Sequence, residues 1–354
     1  MKSKRKKSKT STLLKHPLPV DSLEKMSKEC RHHEIRGRFE NPWQPIDSRT
    51  LANVIRWKLE KNSYKHLTKG PAPPVYPVDL DEVFRGNLTV TYLGHATMLI
   101  QIGGTVLLTD PIFSDLSIYL KRKIKLPIAL KTLRNITQVV LISHNHYDHF
   151  SMKAVRYLRG KTFIVPLGFE RYFRSRKLNN PICLDWFEQI PYKNLKITFL
   201  PSQHWSRRTL RDTNLTLWGG FLIEGPSGSV YFSGDSGYFH GFKEIGDRFN
   251  VDIALLPIGA FAPRWLMRPV HLSPYEAVKA ALDLKATYMI PCHWGTYQIS
   301  DEPLMFPIQL LERIKNALSA SLQILPLMPG KTFSLLPTSK NSMARFTHTH
   351  SLGA

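Results

Sequence analysis

From Leu88 onward the chain breaks into short apolar runs. VTYLGHA, TMLIQI and TVLLTD are β-branched and aliphatic, with Gly103-Gly104 as a hairpin signal between the last two. ITQVVLISH is an unbroken apolar run, as a strand covered on both faces would be. Helical and extended patterns then interleave. The spacing predicts helices over Ser151–Leu158 and near Phe169–Lys177, with strands at Thr162–Pro166, Leu195–Leu200, Leu217–Glu224, Val230–Gly234 and Asp252–Ile258. Ser273-Pro274-Tyr275-Glu276 joins an N-cap serine, a proline at the first helical position and a glutamate three residues on, the pattern of a capping box. Ala286–Cys292 reads as a strand, Ile308–Leu318 as an amphipathic helix and Leu322–Leu325 as a last strand. Two strand-rich halves with helices outside them predict an α/β fold, a four-layer αββα sandwich in one domain.

The flanks read differently. Residues 1–16 carry seven Lys/Arg and no acid, a disordered basic tail. Residues 17–80 are proline-rich and read as an irregular arm packed on the core through Phe39, Trp43 and Trp57, with a helix-like stretch near Leu51–Lys61. The folded core is expected over 81–337, and 338–354 as a frayed tail.

Composition narrows the class. A hydrophobic share of 42% excludes a wholly disordered chain. No run approaches the ~18 apolar residues of a membrane-spanning helix, and no apolar stretch follows the basic start as a secretory signal requires. Three scattered cysteines exclude a disulfide scaffold and suit a reducing compartment, so a cytoplasmic protein is expected. The net charge of +22 leaves nucleic acid, an anionic membrane and an anionic substrate open. Two internal clusters stand out: Lys121–Arg134 with six basic residues interleaved with aliphatics, and Lys153–Lys177 with eight against Glu170 alone. Cations alternating with apolar residues suit a segment lying at a lipid interface, and an ordinary solvated helix face would look the same.

The chemistry is concentrated in Ser143-His144-Asn145-His146-Tyr147-Asp148-His149, directly after the buried strand. Imidazole and carboxylate are good ligands for zinc, and an H-x-H-x-D-H run at a strand end offers enough donors for two ions. His204 in LPSQH, Asp235 in FSGDSGY and His293 in PCHW follow three further predicted strands. Recurrence at strand ends turns isolated polar residues into a candidate ligand set.

These motifs resemble those of the metallo-β-lactamase superfamily. With GRFENPW, VTYLGHATMLIQI, LLTDPIFS, PSQHWSRR, LWGG, PIGAFAPRW and CHWGTY, the chain resembles its N-acyl-phosphatidylethanolamine-hydrolysing phospholipases D and their bacterial relatives over roughly Arg36 to Gly330. The resemblance implies two zinc ions, with His144, His146 and His204 on one, Asp148, His149 and His293 on the other, and Asp235 bridging. It also implies attack of a metal-bridging hydroxide on a phosphodiester, giving N-acylethanolamine and phosphatidic acid. A histidine at 146 favours zinc, since diiron relatives carry a carboxylate there.

Around this set, Asp148 is expected to orient the attacking oxygen as well as bind metal. Asp110 is expected to act behind the ligands, with His95 a weaker candidate of the same kind. His271, Arg264 and Trp265 are expected on the substrate side, His271 toward the phosphate or leaving group. Ala262 stands where the related enzymes often have an acid, which bears on headgroup choice. The expected partners are a phospholipid substrate and an anionic membrane surface, with the enzyme peripheral on it. A homodimer is left open. A soluble lactone or small phosphodiester is the alternative substrate. A nuclease ranks lower, because the residues among the cations are aliphatic and poor at base stacking.

Overall fold

The computed structural model describes Leu23, Lys25 and residues 34–335, apart from 36, 45, 47–50, 68–69, 177 and 318–321. The basic tail 1–16, the frayed tail 338–354, most of 17–33 and the last residue of the helix predicted over Ile308–Leu318 lie outside the described residues.

Two seven-stranded sheets face each other. The first runs in the order β16 (Thr332–Leu335), β3 (Leu88–Gly94), β4 (Thr97–Ile102), β5 (Thr105–Thr109), β6 (Val139–Leu141), β7 (Thr162–Pro166) and β8 (Ile182–Leu184). The second runs β15 (Gln323–Ile324), β14 (Tyr288–Cys292), β13 (Ile253–Pro257), β12 (Gly228–Phe232), β11 (Gly220–Gly225), β10 (Leu195–Leu200) and β9 (Gln189–Tyr192). A small hairpin, β1 (Glu34–Ile35) with β2 (Arg38–Phe39), stands apart. Each large sheet is mixed: the hairpin-linked strands pair antiparallel and those joined through helices pair parallel.

The alternation of side chains explains the layers. On β3 to β6, Tyr92, Met98, Leu107 and Leu141 join the core shared with the second sheet, while Leu93, Leu99, Leu108 and Val140 face a second core. That outer core is closed by Val83, Leu133, Val155 and Phe173, from helices α2 (Leu80–Arg85), α3 (Leu130–Ile136), α4 (Met152–Tyr157) and α5 (Glu170–Arg174). The second sheet is covered by α6 (Gly241–Arg248), α8 (Pro274–Asp283) and α9 (Phe306–Lys315), which send Phe242, Ala277, Ile308 and Leu311 inward. The predicted capping box forms: Ser273 Oγ accepts from the Glu276 N–H, and Glu276 reaches back to the Ser273 N–H. The α/β sandwich expected from the sequence is therefore present, two mixed sheets flanked by helices.

The arm is packed on this core. Its α1 (Leu51–Leu59) and extended segments contact it at Phe39, Asn41, Trp43 and Tyr76. Asn41 Nδ2 donates to the carbonyl of His204 (2.8 Å) and Trp43 Nε1 to Gln203 Oε1 (2.6 Å), so the arm braces a strand end that carries a candidate ligand.

Candidate metal centre and cavity

All the strand-end histidines and aspartates converge between the two sheets. Asp110 follows β5, His144 to His149 follow β6, His204 follows β10, Asp235 follows β12 and His293 follows β14. Several of these positions have strained backbones: His95, Asp110 and His293 have φ of 57°, 34° and 60°, in the left-handed region that non-glycine residues avoid. Gly234 (φ 59°) is needed for packing as well. A Cβ there would lie 2.6 Å from the Ser143 Cβ, pushing apart the loops that carry His144 and Asp235.

The donor atoms fall into two groups. His144 Nε2 lies 2.9 Å from His146 Nδ1, and His204 Nε2 lies 3.1 Å from the same atom. In the second group, Asp148 Oδ2 is 3.0 Å from His95 Nε2, 3.6 Å from His149 Nε2 and 3.3 Å from His293 Nε2. Asp235 lies between the groups, with Oδ2 3.2 Å from His149 Nε2 and 3.9 Å from His204 Nε2, and Oδ1 3.3 Å from His293 Nε2.

Hydrogen bonds behind the rings fix which nitrogen faces inward. His204 Nδ1 donates to the Val270 carbonyl (2.9 Å), and His149 Nδ1 donates to Asp110 Oδ2 (2.6 Å). Ser143 Oγ donates to Asp110 Oδ2 (2.5 Å), which leaves it to accept from His144 Nδ1 (2.9 Å). With the outer nitrogens protonated, the Nε2 lone pairs of His144, His149 and His204 point at the centre, as a cation requires. His149 Nε2, His293 Nε2 and Asp235 Oδ1 are buried with no hydrogen-bond partner, a costly arrangement that a bound cation would relieve. The residues present fit a metal. A third convergence, of Asp110, His144 and His149, is a hydrogen-bond relay instead, because both Asp110 oxygens are occupied by Ser143 and His149.

The electrostatics follow from burial and crowding. Burial pushes His144 and His146 well below the ordinary histidine range, and the neighbouring imidazoles push them the same way, so both rings are neutral donors. Burial alone would raise Asp148 and Asp235, but the surrounding imidazoles, His149 foremost, hold both carboxyls well below their usual range. Burial also works against a proton on His293, yet Asp235 and Asp148 push it up to about 9. His95 falls to about 3, burial and then His293 outweighing Asp148, so its ring is a neutral N–H donor to the Asp148 carboxylate. In the Asp110–His149 pair, burial raises the carboxyl; burial also works against a proton on the imidazole, yet Asp235, Asp148 and Asp110 hold His149 well above the ordinary histidine range.

Above the donors opens a cavity of about 840 Å³ lined by His146, Asp148, Asp235, His271, Trp205 and Arg207, among others. His271, expected on the substrate side, lines this cavity with Nδ1 3.6 Å from Asp235 Oδ2. Asp110 is buried behind His149 and does not reach the cavity, which makes it a positioning residue. Arg264 and Trp265 are not brought to the wall. Arg264 is drawn to Glu276 Oε2 (2.7 Å) and to the carbonyls of Phe261 and His271, while Trp265 faces outward, bonded to Glu60 Oε2 (2.7 Å) under the Arg56 guanidinium. Expected on the substrate side, both side chains here sit off that wall, and Arg264 ties down the loop that holds His271.

The sequence reading missed the wall itself. Trp57 comes from the arm, and Leu116, Leu120, Arg207, Arg208 and Leu210 come from loops whose closeness depends on the whole topology. Arg208 also serves the metal loop: its Nη1 donates to the carbonyls of Asn145 (2.9 Å) and Phe150 (2.7 Å). At the mouth, Leu210 in the wall is 91% exposed, and Ile118 and Tyr119, between the wall residues Ser117 and Leu120, are 76% and 87% exposed. The Lys121–Arg134 run departs from its expected form. Ile124 and Leu133 are buried, and Arg122 turns inward onto the carbonyls of Ile112 and Leu93, so the most exposed apolar side chains, Ile118 and Tyr119, lie just before the cluster.

Comparison with known proteins gives the same family. The Beta-lactamase superfamily domain matches residues 105–294. An uncharacterized protein of Mycobacterium tuberculosis is 35% identical over 275 residues, 73% of this chain and 72% of that one. The N-acyl-phosphatidylethanolamine-hydrolyzing phospholipase D 1 of Caenorhabditis elegans is 30% identical over 331 residues, 84% of this chain and 91% of that one. Among solved structures, Igni18, a metallo hydrolase from the archaeon Ignicoccus hospitalis, superposes with a TM-score of 0.54 at 22% identity, covering 70% of this chain and 99% of that one. With its fold, donor set and relatives in agreement, the chain belongs to the metallo-β-lactamase superfamily of metal-dependent hydrolases.

Proposed function

We propose that the protein is a two-zinc phosphodiesterase of the phospholipase D type, acting on N-acyl-phosphatidylethanolamine-like lipids at an anionic membrane surface. The observation that carries this reading is a floor of paired donor groups sharing Asp235 beneath a cavity whose mouth exposes Ile118, Tyr119 and Leu210. A soluble substrate gives no reason for large apolar side chains at the mouth, whereas a lipid interface does. The kinship with a phospholipase D acting on this lipid class supports the same substrate.

His144, His146 and His204 would hold one zinc, Asp148, His149 and His293 the other, and Asp235 would serve both. When bound, such a pair supplies a water acidic enough to ionise near neutral pH and neutralises charge on phosphoryl oxygens. Asp148, held by His95 and facing the cavity, orients the attacking water. His271 faces the phosphate and its leaving oxygen. Arg207, stacked on Trp205 at 4.8 Å, places a cation in the wall where the substrate's anion enters.

The test is product release from N-acyl-phosphatidylethanolamine vesicles, with bound metal measured on the same samples. About two zinc per chain is expected, with turnover that His146→Ala abolishes. Lactone hydrolysis with no phospholipid turnover would give the site to a soluble substrate.

A further inference from the structure

The second basic cluster lies away from the metal cavity. From Lys153 to Lys177 the chain forms α4, β7 and α5, and Arg156, Arg159, Lys161 and Arg176 meet around a separate cavity of about 430 Å³. It shares no lining residue with the metal cavity. Its floor is apolar: Phe163 and Phe173, both buried, pack with ring centroids 5.2 Å apart. Among the described residues no carboxylate lines it, and Glu170, the one acid in this stretch of sequence, accepts a hydrogen bond from Cys183 Sγ instead.

This is not how a solvated basic helix face is built. On such a face cations diverge into water or alternate with acids. Here they come from the last turn of α4 (Arg156), the turn between α4 and β7 (Arg159, Lys161) and the turn after α5 (Arg176), and they ring one concavity. Their mutual repulsion would be relieved by an anion. Three of the four are arginines, whose planar forks match phosphate oxygens two at a time. The volume lies within the range of small-molecule sites, and the aromatic floor asks for an apolar body below the charged head. We infer that this cavity binds the phosphomonoester head of an amphiphile, a phosphate group carrying an apolar chain. The inference does not rest on the metal centre. If the phosphodiesterase reading holds, its lipid product has this same chemistry, and the cavity would retain it or sense it.

The experiment uses the metal-loaded full chain and calorimetric titration with dihexanoyl phosphatidic acid below its micellar concentration. Inorganic phosphate, dihexanoyl phosphatidylcholine and a short single-stranded RNA are titrated in parallel. A binding event for the phosphatidic acid is expected that the double variant Arg159→Gln/Arg176→Gln weakens about tenfold or more, the loss of two charge-assisted contacts. The Arg159→Lys/Arg176→Lys pair should fall between, since it keeps the charge and loses the forks. Both substituted side chains are exposed, so the melting temperature should stay near that of the native chain. Undiminished binding in the glutamine variant would overturn the site. Equal affinity for inorganic phosphate would overturn the apolar part of the assignment, and preference for RNA would replace the ligand class. Absence of phospholipid turnover would sink the phosphodiesterase reading alone, because the titration does not depend on it.

Discussion

The floor of the metal cavity and its mouth are built on opposite principles. At the floor every ring that hydrogen bonds hold is aimed by a buried partner: His149 by Asp110, His144 by Ser143, His204 by the Val270 carbonyl. Left-handed backbones at Asp110 and His293 persist because the surrounding sheets over-determine them. At the mouth, Ile118, Tyr119 and Leu210 project into solvent from loops. On the proposed function, the difference separates two tasks, chemistry that needs fixed geometry and docking on a lipid surface that needs accessible apolar side chains.

The sharpest way to break the comparison is at the floor. Asp110→Asn keeps the shape but weakens the acceptor behind His149, and loss of such an outer partner typically costs about 10–100-fold in metal affinity or activity. Zinc content, competition with a chelator and kcat should all fall together, with the melting temperature changed far less. Full metal affinity in this variant would show that His149 is aimed by packing alone.

The floor was also the legible part. An H-x-H-x-D-H run, then single His or Asp residues after later apolar runs, is readable because strand ends bring donors together whatever the loops do. Most strands on either side were legible too, β7 and β10 to the residue, from their continuous apolar runs. β8, β9 and β16 were not, since half-exposed edge strands such as Gln189–Tyr192 lack that signal. Nor were α2, α3 and α6, short or polar helices whose apolar stripe is only a few residues wide. The mouth was least legible of all. Trp57, Leu120 and Leu210 lie far apart in sequence and meet only through the finished topology. The contacts of Arg264 and Trp265 were illegible for a related reason, because nothing local reveals that Glu276 and Glu60 capture them.

At the mouth the expected effect is smaller and depends on the substrate's physical form. The pair Ile118→Asp/Tyr119→Asp should lower turnover on anionic vesicles several-fold, since burying each apolar side chain contributes on the order of 1.5–3 kcal/mol at full insertion and these would insert in part. Turnover of a monomeric short-chain phospholipid should not change, and neither should the fold, because both positions are exposed. An equal loss on both substrates would mean that the tip shapes the cavity rather than docks it.

The smallest effect belongs to the exposed cations beside that tip. Lys121, Lys123 and Lys125 are solvent-facing, whereas Arg122 between them is tied to backbone carbonyls and is part of the structure. A lysine near an anionic bilayer contributes about 1 kcal/mol, and the contribution decays within a Debye length. Lys121→Gln and Lys123→Gln should therefore each weaken vesicle binding about fivefold at low salt, with the effect fading as ionic strength rises. Arg122→Gln should instead lower the melting temperature and show no such salt dependence. If the lysine variants bind anionic and zwitterionic vesicles as the native chain does at every salt concentration, the mouth docks through its apolar tips alone, and the charge of this cluster has no part in it.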